Sequence, residues 1–286
     1  EMTDDNMTLV SVADEIMSTE DAGPTRVCVV DRLEHLFLRK IGGFKLAARM
    51  LRFMSETGPR IFWIATASDF AWQLLLKNEP LTQGLVSHYR LTEYDRNDIE
   101  EIINQRHRRS ALTLSFDSPV EVSPLERRRL RKAQTEEEKQ AIYREAYFDD
   151  FFAASGQNVM LALFYWLLSV RYVDEPPAIE VVRLPDLKFE LLARLSVPEM
   201  FALKSFLEHA TLTLDEYIDI SSMDDHSALE VFESLGNAMI IELARDEDSG
   251  LMDLEFERIE RNGRYRLRPL LVQPVIRSLR ETNIVH

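Results

Sequence analysis

Residues 27–30, Val-Cys-Val-Val, form a short apolar run that ends at Asp31, with Glu34 three positions on. A run of this kind, bounded by a turn, predicts a buried strand of a parallel sheet. A carboxylate at the C-terminal end of such a strand lies where open α/β sheets place their chemistry. Residues 46–55 then repeat apolar positions at helical spacing, with Leu46, Met50, Leu51 and Met54 on one face, until Gly58-Pro59 stops the helix. A second apolar run over 61–65 closes on the small polar residues Thr66 and Ser68. Strand, helix, strand at this spacing predicts a βαβ unit. A helix over 70–77, a third short strand over 85–91 and a helix over 96–108 opened by Asp95 follow.

Polar residues dominate the next stretch. Residues 126–132, Glu-Arg-Arg-Arg-Leu-Arg-Lys, are followed by an acidic block at 136–138. This alternation predicts a solvated, self-paired helix. Ser155-Gly156 breaks one helix and Asn158 starts another, which is apolar on nearly all sides and therefore expected to be buried. After Pro176-Pro177, residues 178–184 are expected to be an extended linker. The last hundred residues predict helices over 198–209, 215–220 and 225–235, the first with Pro198 in its opening turn. A strand over 239–243, a charged hairpin at 246–250 and an extended stretch near 254–256 come next. A tight turn at Asn262-Gly263, a returning strand over 265–267 and a helix over 271–281 complete the chain.

The run ending in Asp31 and Glu34 resembles the Walker B element of P-loop ATPases of the AAA+ class. Separation of the two acids by Arg32 and Leu33 is similar to the signalling (STAND) and origin-recognition-like branches. The resemblance implies that Asp31 holds Mg²⁺, partly through water, and that Glu34 polarises the attacking water. Thr66 matches sensor 1, the polar residue that reads the γ-phosphate, with Ser68 as the fallback. The plainer alternatives are a helix-capping Asp31 and a Thr66 that merely closes a strand. Residues 155–163, Ser-Gly-Gln-Asn-x-x-x-Ala-Leu, resemble the family's lid signature Ser-Gly-Gly-Asn-x-Arg-x-Ala-Leu. Val159 and Met160 stand where the sensor 2 arginine is expected. Three helices followed by a β-wing resemble a winged helix-turn-helix. The implied fold is α/β, a partial parallel P-loop-type sheet over residues 1–95. An all-α lid over 96–184 follows, with a charged insertion at 111–148, and then a winged helix over 185–286.

The phosphate-binding half of that family's site is absent. No Gly-x-x-x-x-Gly-Lys-Ser/Thr occurs, and the one glycine pair, Gly42-Gly43, follows no strand. A P-loop encloses phosphates with backbone N–H groups and a lysine. The expectation is therefore the C-terminal part of a longer ATPase, binding ATP and Mg²⁺ only in the full-length protein. It would act as a nucleotide-controlled switch or assembly factor. The alternative is a non-catalytic protein-interaction module, and a DNA-binding replication or transcription regulator is the weaker third option. Residues 1–20, acidic with apolar Val10, Val12, Ala13, Ile16 and Met17, are expected to be partly helical.

Composition narrows the partners. The 286 residues are 45% hydrophobic and carry a net charge of −15. That surface opposes phosphate backbones, whose binding depends on Lys and Arg neutralising phosphates. The helix expected over 225–235, with its capping residue, carries Asp224, Asp225, Glu230 and Glu233 and no Lys or Arg. Arg258, Arg261, Arg264, Arg266, Arg268, Arg277 and Arg280 cluster near the C-terminus, where cross-strand pairing with glutamates is the plainer reading. A protein partner or self-assembly is expected instead. Arg90 stands near the family's arginine-finger region but is left unassigned. The single cysteine, Cys28, offers no disulfide framework and fits a reducing cytoplasm. The longest apolar stretch, 159–170, is too short to span a bilayer, and the six histidines lack zinc-ligand spacing.

Overall fold

The computed structural model describes residues 26–78, 87–91, 94–118, 123–174, 177–182, 184, 189–244 and 259–285. The chain is mixed α/β, mostly helical with small sheets. It divides into two compact units, one of residues 1–68 and 72–86, the other of 69–71 and 87–286.

In the first unit, β1 (Arg26–Val30) pairs in parallel with β2 (Ile61–Ala65), Val27 opposite Phe62 and Val29 opposite Ile64. The connection passes through a 3₁₀ turn, Leu33–Leu36, and α1 (Lys45–Thr57). Ala47, Met50, Leu51 and Met54 are buried on one stripe of α1. Trp63 extends from β2 to this helix, its indole N–H donating to Thr57 Oγ1 at 2.9 Å and its ring meeting Phe53 edge-on. The expected βαβ unit therefore forms. The expectation that its strand is buried on both faces does not hold. Val27 and Phe62 are 60% and 59% exposed, and Val29 and Ile64 share that open face. Period-2 alternation puts Cys28, Val30, Trp63 and Ala65 on the other side, all of them half-buried.

Gly42-Gly43 is a tight turn: Leu38 N–H donates to the Gly43 carbonyl and Gly43 N–H to that of Lys40. Gly42 adopts φ +73°, and a Cβ on Gly43 would lie 2.1 Å from the Leu38 carbonyl oxygen. The glycines serve backbone geometry here. The helix expected over 70–77 is α2 (Asp69–Asn78). The strand expected over 85–91 is not formed by residues 87–91, which have no regular structure. Tyr89 and Leu91 are over nine-tenths exposed, and residues 87–91 pair with no strand among the described residues. Residues 85 and 86 lie outside the described set.

The second unit opens with α3 (Arg96–Arg108), capped by Asp95 in a reciprocal box with Asp98. β3 (Thr113–Phe116), α4 (Pro124–Lys132), α5 (Glu136–Ser155) and α6 (Val159–Ser169) follow. The region expected to be wholly helical contains a sheet: β4 (Val170–Val173) and β3 flank β5 (Ala178–Val181) in the order β3-β5-β4. Residues 178–181 are thus the central strand and not a linker. Local pattern could not show this, because β5 takes its partners from residues 65 positions upstream on one side and from the adjacent antiparallel strand on the other. Gln140 of α5 fastens the sheet, accepting from Phe116 N–H at 2.7 Å and donating back to its carbonyl.

Ile99, Ile103, Phe116, Phe148, Phe151, Leu161, Tyr165 and Val181 form the core beneath. Tyr147 bridges this core to α6 through a short hydrogen bond with Ser169, and burial raises its pKa well above the usual tyrosine value. The expectation that α6 is buried all round is corrected. Leu161, Ala162 and Tyr165 face the core, while Met160 and Leu167 are more than half exposed. The charged helix α4 buries no residue, as expected for a solvated face, and the ion pair of its Arg129 goes to a neighbouring helix rather than within α4. Arg129 meets Glu145 of α5 at 2.6 Å.

The rest of this unit comprises α7 (Val197–His209), β6 (Thr211–Leu212), α8 (Leu214–Ser221) and α9 (Asp225–Asn237). β7 (Ile241–Leu243), β8 (Tyr265–Leu267) and α10 (Val272–Glu281) complete it. Ser196, Thr213 and Asp224 cap the three successive helices, each accepting a backbone N–H three residues on. The sheet runs β6-β8-β7, antiparallel throughout. Phe206, Tyr217, Phe232 and Tyr265 pack together beneath it. The expected hairpin at 246–250, the stretch near 254–256 and the helix expected within residues 1–20 lie outside the described residues.

Candidate functional site

All four predicted site residues belong to the first unit and meet at the C-terminal ends of its two strands. β1 ends at Val30 and β2 at Ala65, and the ladder continues one step as Thr66 N–H donates to the Val30 carbonyl at 2.9 Å. This register places Asp31 and Thr66, 35 positions apart, side by side. Thr66 Oγ1 donates to Asp31 Oδ1 at 2.5 Å. The same oxygen accepts the Arg32 N–H at 2.9 Å, and the Thr66 carbonyl accepts the Leu33 N–H at 2.8 Å. The Thr66 hydroxyl is therefore a two-way tie between the chain leaving one strand and the end of the other.

Arg32 takes the left-handed conformation, φ 59° and ψ 71°. A non-glycine residue there costs on the order of 1 kcal/mol. The turn this creates sends Leu33 and Glu34 inward, both buried, while Asp31 stays exposed. Glu34 is 5% exposed, and its Oε2 accepts the Ser68 N–H at 3.3 Å. Ser68 is thus engaged through its backbone, and its carbonyl accepts the Trp72 N–H at the start of α2.

Asp31 keeps an outward oxygen: Oδ2 lies 3.9 Å from Arg32 Nε, with both side chains more than half exposed. Sequence reasoning missed Arg32. Its positive φ and its position beside the carboxylate follow from the crossover geometry, and no local pattern signals either. The adjacent strand ends thus carry one open carboxylate, one hydroxyl and one enclosed carboxylate. Among the described residues no group of three or more His, Cys, Asp or Glu could hold a metal alone.

Arg90 donates to Asp69 at 2.9 Å. Val159 and Met160, at the positions where the resemblance expects an arginine, open α6, the second of them exposed.

Compared with family models, curated proteins and solved structures, the chain matches none.

Most of the C-terminal arginine cluster that is described pairs internally. Arg261 reaches Asp215 and Asp225, Arg264 reaches Glu216, and Arg266 reaches Glu242. Asp225, His226 and Glu230 leave the outer surface of α9 acidic and exposed. Among the described residues no helix is long and apolar enough to cross a membrane.

Proposed function

We propose that this chain is the C-terminal part of an AAA+/STAND-like ATPase, a nucleotide-controlled switch or assembly factor. Its nucleotide site would be completed by a phosphate loop that these residues do not contain. The observation that carries the reading is the juxtaposition of Asp31 and Thr66 at adjacent parallel strand ends, with Glu34 enclosed behind them. Parallel α/β sheets bind ligands outside the carboxyl ends of their strands.

The residues fit a Mg²⁺-nucleotide in one respect that matters. Mg²⁺ is held by one or two carboxylates while waters and phosphates supply the remaining ligands. Asp31, with Oδ2 turned outward, supplies one such carboxylate. In this reading Mg²⁺ bound with ATP would neutralise charge on the phosphates. Thr66 holds Asp31 in place; with the nucleotide bound, Thr66 would read the terminal phosphate and Glu34 would polarise water. Ser68 aligns Glu34 through its N–H.

The C-terminal module supports a winged-helix reading through its element order, helix, strand, two helices and two strands, and its β6-β8-β7 sheet. In such modules the third helix enters the major groove. Here that helix, α9, is acidic and the nearby Arg261 is already paired with Asp215 and Asp225. Docking of a protein partner, or self-assembly, suits this surface better than DNA.

The non-catalytic alternative has one observation in its favour. The Thr66 hydroxyl already uses its proton on Asp31 and a lone pair on Arg32 N–H, and Glu34 is buried against Ser68. A purely structural knot would show the same contacts. Substitution in a polypeptide that supplies the phosphate loop separates the two readings. Glu34→Gln should keep nucleotide binding and slow hydrolysis by roughly 10²–10⁴-fold. Asp31→Asn should weaken Mg²⁺-dependent binding itself. Hydrolysis at the parent rate in both variants would leave the knot as the answer. The 286-residue chain alone should show no calorimetric ATP binding.

A further inference from the structure

A groove of ≈ 290 Å³ lies between the end of α5 and α10, lined by Phe152, Gln157, Gln273, Ile276, Arg277 and Arg280. Both elements belong to the second unit. Arg277 and Arg280 are one helical turn apart, so their side chains share a face of α10. Both are exposed. Among the described residues neither has a carboxylate within ion-pair distance, whereas Arg261, Arg264, Arg266 and Arg268 each have one. Two guanidinium groups on one face repel each other, so the pair gains from an anion that both can reach. Arg presents a planar fork matched to carboxylate and phosphate oxygens.

The other walls add to this. The Gln157 and Gln273 side-chain amides make no hydrogen bond among the described residues, which leaves N–H donors available along the groove. Ile276 is buried and Phe152 half-buried, which gives the groove an apolar floor. Gly156, at φ +59°, turns the chain sharply beside it, and a Cβ built there would meet nothing within 4 Å. Glu281 also borders the groove, so a highly charged polyanion meets opposition at one edge. The net charge of −15 acts in the same direction on polyanions at longer range.

We propose that this groove binds a small organic anion, a phosphate ester or carboxylate held by Arg277 and Arg280, with an apolar group against Ile276 and Phe152. A ligand there touches α10 and the α5–α6 turn together. It would brace α10 against the α5–α6 turn.

The test is calorimetric titration of the full chain with phenyl phosphate, benzoate, inorganic phosphate and benzyl alcohol. Phenyl phosphate or benzoate should bind saturably at one site, more tightly than inorganic phosphate, and benzyl alcohol should not bind. Which of the two aromatic anions binds better identifies the source chemistry, and binding of either upholds the site. Arg277→Gln/Arg280→Gln should weaken that binding at least about tenfold, consistent with loss of two charge-assisted contacts. Both positions are exposed, so the double variant should keep its fold. Circular dichroism checks this, and raised salt on the parent chain gives the same readout without substitution. The proposal is overturned if neither aromatic anion saturates by about 10 mM. Equal affinity in a folded double variant, or affinity unchanged by salt, would also overturn it.

Discussion

Replacing Thr66 by Val keeps the size of the side chain and removes its hydroxyl. Two hydrogen bonds disappear, Thr66 Oγ1 to Asp31 Oδ1 at 2.5 Å and Arg32 N–H to Thr66 Oγ1 at 2.9 Å. A typical intramolecular hydrogen bond contributes about 0.5–1.5 kcal/mol, and one to a charged group rather more. Both bonds here are solvent-exposed, so water replaces part of each, and the combined loss should be about 1 kcal/mol. That corresponds to roughly fivefold in a local opening equilibrium. The penalty falls on a turn already holding Arg32 at positive φ. Amide hydrogen exchange measures it directly. In Thr66→Val the Arg32 amide should exchange about fivefold faster or more. The Leu33 amide donates to the Thr66 backbone carbonyl and should change far less. Thr66→Ser should retain the parent pattern. Equal Arg32 protection in the Val variant would show that the hydroxyl does not tie the strand ends together, and the geometric case for the site would fail with it.

Gly43→Ala places a Cβ 2.1 Å from the Leu38 carbonyl oxygen, a backbone atom that cannot turn away, so thermal unfolding should show a loss of at least about 2 kcal/mol in the first unit. Glu199 is opposed by burial, but hydrogen bonds from Ser196 and Ser234 outweigh it and hold its pKa below the ordinary value. Its contribution to stability is thus present above the unfolded pKa and disappears as pH falls through the folded one. Ser234→Ala should lower stability measurably at neutral pH and leave it nearly unchanged at strongly acidic pH, as followed by denaturant titration at both. Duplex DNA should bind weakly, without sequence preference and only at low salt, because α9 is acidic and counterion release is the only drive left. A salt-resistant, sequence-specific gel shift by the full chain would contradict this.

Much of the local structure was legible because it depends on neighbours in sequence. Asp95 with Asp98, Pro198 in its first turn and the Gly58 stop mark helix ends through capping chemistry that acts over three or four residues. The strand–helix–strand order over 26–65 was equally readable, because two short continuous apolar runs bracket a segment of helical period. So were the identities of Asp31, Glu34, Thr66 and Ser68 as candidates, since each ends an apolar run or follows it closely.

What those residues do to one another was decided only in three dimensions. The parallel register brings Thr66 to Asp31 across 35 positions, and the left-handed turn at Arg32 sends Glu34 inward while leaving Asp31 outside. Sheet membership is equally non-local. Residues 178–181 read locally as an extended stretch whether free or paired, and only Thr113–Phe116 and Val170–Val173 on either side make them a central strand. The apolar α6 carried no information about which side would be covered, because periodicity fails when every face is apolar. Tertiary packing chose Leu161 and Tyr165 and left Leu167 outside. Residue type and spacing determine which groups can form a contact. Register and packing determine which of them do, because those depend on where distant segments lie.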